Sequence, residues 1–371
     1  MNMPNSRLVR TTSSALWAAY GDSLGFITEL TNESGLKHRT GQSVVTTTIP
    51  WKRKIGGKFG PTIDLPAGTY SDDTQLRLCT SRSIMGNGDF DVETFAKIEI
   101  PVWNGYALGA GRGCKAAALS LSKSEVTWYS NFFQSSNGSM YLMGGGNGAA
   151  MRIQPHVWCS KDLSKLDYIA DVVKNSICTH GHPRGILGAV FHAQCLAYSL
   201  NTCKVSEPEQ WSLFTNNLRA VEDIIKSDEA LNIFWLPRWE KEVGKSIRHA
   251  IIDVIEEFNI DIEKFRENIY ENNNTPEQNY HHFLNEIGAF EDSQRGSAVK
   301  TSLLAAAATV IFRNVEPETA LAAIANELNS DTDTIATMTG ALIGSVYESY
   351  PSAEIQDREY IINESERLFT I

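Results

Sequence analysis

Apolar positions along the chain recur mostly at helical spacing. Three long apolar runs, residues 186–200, 301–312 and 334–350, predict buried helices, and the polar run 240–258 predicts an amphipathic one. Strand signals are few, the best being the β-branched run 43–49 between Gly41 and Pro50. The pattern predicts a mostly helical protein, with minor short strands in insertions.

The chain shows no tandem repeat of fixed period, and we predict one domain over residues 1–371. The most polar and acidic part is about 201–294. Two interpretations of this segment stay open: an inserted lid or cap, or outer helices of the same domain. The candidate chemical motifs lie on both sides of it, which favours one domain closing around a central site.

Composition and charge narrow the class of protein. Hydrophobic residues make up 42% of the chain, as in globular proteins, and the formal net charge of -11 argues against broad binding to nucleic acid or anionic membranes. The run Lys52, Arg53, Lys54 and Lys58 is a basic strip typical of a solvated loop. The start of the chain is unlike a secretory signal, no run reaches the about 18 apolar residues of a membrane span, and the six cysteines are scattered. We therefore expect a cytoplasmic protein.

Two clusters of hydroxyl and carboxylate side chains each precede a predicted helix. The first is Ser71-Asp72-Asp73-Thr74, and the second is Ser330-Asp331-Thr332-Asp333-Thr334. Helix capping explains either cluster alone, with Asp72 and Gln75 forming a capping box. Capping does not explain two such clusters with more acids than one cap needs.

If the fold brings the clusters together, four carboxylates share a small volume. A like-charged pair about 4 Å apart costs on the order of 4 kcal/mol at a typical effective dielectric, so the group needs counter-charge. Mg²⁺ and Mn²⁺ bind through oxygen ligands of this type. The residues therefore predict a divalent-metal site, provided that the two clusters meet.

Two further segments are candidates for ligand binding. A glycine-rich run, residues 144–148, leads into a predicted helix. Such a run is typical of a phosphate-binding loop or of a flexible turn. Read as a loose dinucleotide fingerprint, it would indicate a nicotinamide-dependent oxidoreductase, but that fingerprint needs a preceding strand in a βαβ unit. The segment Cys178-Thr179-His180-Gly181-His182 matches no common zinc spacing, which favours substrate hydrogen bonding or local capping.

Five segments in this order resemble the ADP-ribosylglycohydrolase family, which includes the dinitrogenase-reductase activating glycohydrolase and the ADP-ribosyl-acceptor hydrolases. The matching motifs span almost the whole chain: Gly21-Asp22-x-x-Gly25, Ser71-Asp72-Asp73-Thr74, Gly146-Asn147-Gly148-x-x-Met151-Arg152, Thr179-His180 and Asp331-Thr332-Asp333-Thr334-Ile335-Ala336. Ser71 stands where many members have threonine, and Asn329-Ser330 replaces a frequent Gly-Gly. The stretch from Glu29 to Gly68 is long for the family and is a candidate for carrying substrate or partner specificity.

The resemblance implies an all-α fold, a compact single-domain orthogonal helical bundle with minor short strands in insertions. It also implies a binuclear Mg²⁺ or Mn²⁺ centre and assigns roles to residues. The metal ligands would be Ser71, Asp72, Asp73, Asp331, Asp333 and Thr334. The substrate would contact Gly146, Asn147, Gly148, Met151 and His180, and the catalytic residues would be Glu29, Asp72, Asp73 and Asp333. Glu29 falls where several members have a glutamate that gates the site or acts as an acid or base.

The function implied is metal-dependent removal of ADP-ribose from a modified macromolecule. Protein arginine is the first choice of acceptor, followed by serine, a nucleic-acid base or free O-acetyl-ADP-ribose. An ADP-ribosylating toxin is a further candidate partner. The alternative is a toxin-neutralising or ADP-ribose-binding protein with little turnover.

Overall fold

A computed structural model describes residues 6–55, 59–136, 138–269 and 274–371, without the side chains of residues 268 and 269. Lys58 of the basic strip lies outside the described residues. The chain folds into a helical domain, as predicted, and within the described residues the one sheet is a two-stranded antiparallel hairpin. No helix in the described part of the chain has both the length and the apolar character needed to cross a membrane.

The first third of the chain contains the hairpin and the first acidic cluster. Its elements are α1 (Ser6–Thr28), α2 (Glu33–Thr40), β1 (Trp51–Lys54), β2 (Thr62–Leu65), α3 (Asp72–Arg82), α4 (Val92–Thr94), a π-helical turn (Phe95–Glu99), α5 (Ile100–Trp103) and α6 (Arg112–Leu121).

The middle of the chain leads from the glycine-rich run into the polar segment 201–294. Its elements are α7 (Met140–Met143), a 3₁₀ turn (Ala150–Arg152), α8 (Gln154–Trp158), α9 (Tyr168–Ile177), α10 (Pro183–Thr202), α11 (Pro208–Asn217), α12 (Ala220–Ser227), a second π-helical turn (Leu231–Trp235), α13 (Leu236–Val243), α14 (Ile247–Ile269) and α15 (Pro276–Glu286). The last part comprises α16 (Ala298–Ile311), α17 (Pro317–Ala325), α18 (Thr332–Gly344) and α19 (Arg358–Thr370).

The centre of the fold is the pair α1 and α18, which pack more extensively than any other two described elements. Glycines permit their close approach. A Cβ on Gly25 would lie 2.4 Å from the carbonyl oxygen of Thr332, and one on Gly340 would lie 2.2 Å from that of Trp17. Hydroxyl groups bridge the same interface, where Thr337 Oγ1 donates to the Ala18 carbonyl over 2.7 Å. The start of α18, with its aspartates, is thereby fixed against α1.

The row continues from α18 through α16 to α10, and these helices are buried on most sides. The apolar run 186–200 falls inside α10, as predicted, and the run 301–312 ends one residue beyond α16, at the C-cap Phe312. The third helix, α18, ends at Gly344 rather than near residue 350. Helices α11 and α14 of the polar segment pack on α10, and α14 and α15 pack on α16.

Two local predictions were wrong. Residues 43–49 form no strand, because Val45 exchanges its backbone hydrogen bonds with the Asn326 side chain (3.0 and 2.7 Å) instead of a strand. The run 240–258 is two helices rather than one, because Gly244 adopts a left-handed conformation (φ 73°) and ends α13. Glycine reaches that region without steric cost, so it is a common helix terminator.

Candidate active site

The first acidic cluster lies at the start of α3. The predicted capping box of Asp72 and Gln75 is not formed. The N-cap is Ser71, whose Oγ accepts from the Asp73 backbone N–H (3.2 Å). Gln75 does not complete a capping box, because its Oε1 accepts from Trp103 Nε1 (3.0 Å) and the Leu108 N–H (3.2 Å). The carboxylates of Asp72 and Asp73 therefore do not cap the helix and can make other contacts.

The second cluster lies at the start of α18. Asp331 Oδ2 accepts from Asn147 Nδ2 of the glycine-rich run (2.8 Å), and Asp333 Oδ1 accepts from the Thr334 backbone N–H (2.9 Å). Asp333 and Thr334 are each only 4% exposed, so the helix start is buried rather than solvated.

The fold brings the two clusters together. Thr334 Oγ1 of α18 donates to Asp73 Oδ1 of α3 over 3.5 Å, although the two residues are far apart in the sequence. The other oxygen of that carboxylate, Asp73 Oδ2, is buried and has no hydrogen-bond partner among the described residues. A buried carboxylate oxygen without a donor is costly unless a cation or an ordered water satisfies it.

Asp22 of α1 is a functional neighbour that residue-level reasoning missed. Its carboxylate accepts from the Ser71 N–H (2.9 Å), the Thr74 N–H (2.9 Å) and Thr74 Oγ1 (2.6 Å), so it fixes the start of α3. A Gly-Asp pair inside a helix carries no local signal for this contact. The family motif that contains Asp22 was the one indication available.

The glycine-rich run follows helix α7 and passes beside Gly296. The Asn147 N–H donates to the Gly296 carbonyl (2.9 Å), and the Ala298 N–H donates to the Gly145 carbonyl (2.9 Å). Because a helix rather than a strand precedes it, and the described residues contain no parallel sheet, the nicotinamide oxidoreductase interpretation is wrong.

His180 lies against the glycine-rich run and is held by a buried network. Arg152 Nη2 donates to Thr179 Oγ1 (2.8 Å), and that hydroxyl lies 2.7 Å from His180 Nδ1. Burial, with the Arg152 charge, lowers the pKa of His180 to about 3, so the imidazole is neutral near pH 7. His182 instead caps α10 by accepting from the Arg184 N–H (3.1 Å), which confirms the local-capping alternative for that residue.

The two acidic clusters, the glycine-rich run and the Thr179-His180 pair border one cavity of about 790 Å³. Of the residues predicted from the sequence, the cavity is lined by Glu29, Asp72, Asp73, Gly146, Asn147, Gly148, Met151, His180, Asp331, Asp333 and Thr334. Ser71 is the exception, since it is fully buried behind the two aspartates.

Burial opposes the charged forms of three acids of the cavity, Asp72, Asp73 and Asp333. Burial raises the pKa of Asp72 well above its ordinary value, and the Glu29 and Asp22 charges add to the effect. Burial likewise raises the pKa of Asp73, helped by Asp22 and Asp72, and that of Asp333, helped by Glu29 and Asp73. Repulsion of this kind is what a bound cation relieves.

The donor set fits Mg²⁺ or Mn²⁺ in kind. A carboxylate and a threonine hydroxyl meet in the buried wall of the cavity, where Thr334 Oγ1 lies 3.5 Å from Asp73 Oδ1 and Asp73 Oδ2 has no hydrogen-bond partner among the described residues. Within the described residues, however, no three Asp, Glu, His or Cys side chains already have the arrangement of a formed metal site. Binding two ions would therefore require the carboxylates to move closer together.

Fold and cavity together give a predominantly helical domain with a cleft of ligand size between a glycine-rich run and a buried group of acids. The chain belongs to the ADP-ribosylglycohydrolase family, whose model matches residues 3–368. Membership indicates ADP-ribosyl hydrolase activity in general.

A solved structure described as an "ADP-ribosylglycohydrolase-related protein complex" has the same fold. It aligns with a TM-score of 0.56 and 19% sequence identity over 98% of each chain, a level of identity that shows the fold alone. No match was found among curated proteins.

Proposed function

We propose that this protein hydrolyses the bond between ADP-ribose and a modified macromolecule, using two Mg²⁺ or Mn²⁺ ions, with ADP-ribosyl-arginine in a protein as the first acceptor. The observation that carries the proposal is the contact between Asp73 and Thr334, which joins the two acidic clusters at the wall of the cavity.

Each group of residues has a proposed task in this reaction. The ions would be held by the five ligands that line the cavity, Asp72, Asp73, Asp331, Asp333 and Thr334. Ser71, the sixth ligand that the resemblance implies, does not line it. Bound ions would supply Lewis-acid stabilisation and hold the ribose hydroxyls.

The remaining residues bind and orient the substrate. The glycine-rich run, Gly146 to Gly148, would border the diphosphate, and Met151 would pack beside it. Neutral His180 would hydrogen bond to the ligand without adding charge. Fixing the sugar in one pose removes much of the entropic cost of reaction.

Proton transfer is assigned to Glu29, which lines the same cavity. In the reaction the bond from the anomeric carbon to the acceptor breaks and a water oxygen takes its place. The acceptor leaves with a proton, and the attacking water loses one. Burial raises the pKa of Glu29, against the opposing effect of Arg53, which moves the carboxyl toward the range useful for general acid or base work.

The test is release of ADP-ribose from ADP-ribosyl-arginine with Mg²⁺ or Mn²⁺, comparing wild type with Asp73→Ala and Asp333→Ala. We expect metal-dependent release by the wild type and a loss of at least about 100-fold in kcat in each variant. Asp64→Asn, an exposed acid on β2, is the matched control and should retain activity. Serine-linked and O-acetyl substrates run in parallel identify the acceptor.

The same assay separates the enzyme from the binding-protein alternative. ADP-ribose binding that is equal in wild type and variants, without release from any substrate, would favour a cytoplasmic ADP-ribose-binding or toxin-neutralising protein. Release that does not depend on added metal, or that survives both substitutions, would contradict the proposed metal site.

A further inference from the structure

The basic strip of residues 52–54 is not simply solvated. It forms β1, and side chains alternate between the two faces of a strand, so Lys52 and Lys54 are exposed while Trp51 and Arg53 face inward. Lys52 and Lys54 are solvated as predicted, but they lie on a strand rather than in a loop, and the prediction is wrong for Arg53. Arg53 is therefore the one described residue of the basic strip that faces inward.

Arg53 reaches Glu29, a residue of the proposed active site. Its Nη2 lies 3.1 Å from Glu29 Oε2, and the two side chains are only 16% and 14% exposed. The guanidinium also lies 4.0 Å from the centre of the Phe26 ring, one turn earlier on α1. A desolvated ion pair that packs on an aromatic ring restricts the positions of its two side chains far more than a surface ion pair does.

A second arginine of the stretch between Glu29 and Gly68 holds the backbone at Glu29. Arg39 Nη1 donates to the carbonyl oxygens of Ile27 (2.9 Å) and Glu29 (2.8 Å), which satisfies the end of α1. The next residue, Leu30, has φ 49°, a left-handed conformation that is costly for a side chain of its size. The surrounding contacts therefore determine both the backbone and the side chain of Glu29.

These contacts stand directly at the acidic cavity. The Phe26 ring packs against Gly109, where a Cβ would lie 2.7 Å from Phe26 Cε2 and 3.3 Å from Asp72 Oδ1. Glu29, Leu30 and Gly109 all line the cavity. A change in the position of Arg53 would therefore alter the wall of the cavity at Glu29.

We propose that Arg53 is a positioning residue, which the inserted segment between Glu29 and Gly68 supplies to hold the Glu29 carboxylate at the wall of the cavity. The inference rests on the proposed function, in which Glu29 handles the proton. It assigns the long insertion a task in the reaction. Arg53 itself acts through Glu29, while Lys52 and Lys54 on the same strand take no part.

The test is a double-mutant comparison of Arg53→Met, Glu29→Gln and the combined variant. Methionine keeps an apolar stem over Phe26 and removes the charge. We expect kcat to fall about 10- to 100-fold in Arg53→Met with little change in KM, and no further fall when Glu29→Gln is already present. Arg53→Lys should restore part of kcat, and Lys52→Met, on the outer face of β1, should match the wild type.

Crystal structures of the wild type and Arg53→Met supply a readout that is independent of turnover. We expect the Glu29 carboxylate to leave its position in the variant while α1 and the acids of α3 and α18 stay in place. An unmoved Glu29, an Arg53→Met variant with wild-type kcat, or losses that multiply in the combined variant would overturn the proposal. If the wild type hydrolyses no substrate, the proposed function fails on its own, and the position of Glu29 still decides the role of Arg53.

Discussion

At the scale of single residues, the cavity concentrates carboxylates that would repel one another in the chain alone. Asp72, Asp73 and Asp333 are each at most 6% exposed. Neither capping nor a described arginine neutralises them fully, although Arg77 lies near and lowers the pKa of Asp73. Their arrangement therefore favours ligand binding at the expense of stability.

The raised pKa values of these buried acids predict how the stability of the metal-free protein depends on pH. Because burial raises the pKa of each of these acids in the folded chain, the folded protein binds more protons than the unfolded chain. The stability of the metal-free protein should therefore fall as pH rises from about 4, the ordinary carboxyl value, through the raised values. Thermal unfolding in EDTA across this range, at constant ionic strength, measures the effect.

The controls for this prediction are an added ion and a substituted acid. Mg²⁺ or Mn²⁺ at 100 times its dissociation constant should add about 2.7 kcal/mol near neutral pH, and less at low pH, where protons compete. Asp73→Asn should flatten the pH dependence of the metal-free protein. An equal pH dependence in the wild type and in Asp73→Asn would show that burial does not raise the pKa of Asp73.

Residue patterns alone could predict part of the site. Hydroxyl and carboxylate clusters before helices are visible in the sequence, and four of the five motifs of the resemblance contain residues that line the cavity, the exception being Gly21-Asp22-x-x-Gly25. Asp22 and Arg53 could not be identified in this way, because their partners, Ser71, Thr74 and Glu29, become neighbours only through tertiary packing.

At the scale of elements, the site depends on how closely α18 approaches α1. Gly25 is the contact point nearest the acids, since a Cβ there would lie 2.4 Å from the Thr332 carbonyl oxygen and 2.5 Å from the Asp333 Cα. Both neighbours are backbone atoms of a buried helix, so they cannot rotate away as a flexible side chain can.

Gly25→Ala should therefore separate the two helices and displace Asp333. We expect a loss of about 1–3 kcal/mol in the free energy of unfolding, with a fall in kcat larger than Tm alone would suggest. Chemical denaturation and the ADP-ribosyl-arginine assay measure the two effects. Gly86→Ala is the control, because its Cβ would meet no described atom within 4 Å; equal behaviour of the two variants would refute the packing argument.

Element boundaries show where sequence patterns reach their limit. The cores of α10 and α16 were predictable because their apolar runs are long. The break at Gly244 and the irregular backbone at Val45 were not, since a glycine C-cap and an asparagine that replaces a strand partner override local propensity.

At the scale of the whole molecule, the site joins residues from near both ends of the chain, so its integrity requires the entire bundle to be folded. The polar segment 201–294 lies between the motifs, and whether it is a separate cap or part of the same domain was open from the sequence. Its contacts with the core are buried ones: Phe258 of α14 stacks on Phe191 of α10 at 4.7 Å, and Asp261 pairs with Lys300 of α16.

These contacts predict one cooperative unfolding transition. Calorimetric and van't Hoff enthalpies should agree, at roughly 260 kcal/mol near 60 °C for a chain of 371 residues. Phe258→Ala should lower the Tm of that single transition, because it opens a cavity between α14 and α10, and should cost about 3–5 kcal/mol. Ile260→Ala, 60% exposed on the same helix, should leave Tm nearly unchanged. Two resolved transitions, with Phe258→Ala shifting only one of them, would instead establish residues 201–294 as an independently folding cap, and Mg²⁺ would then stabilise only the transition that contains the acids.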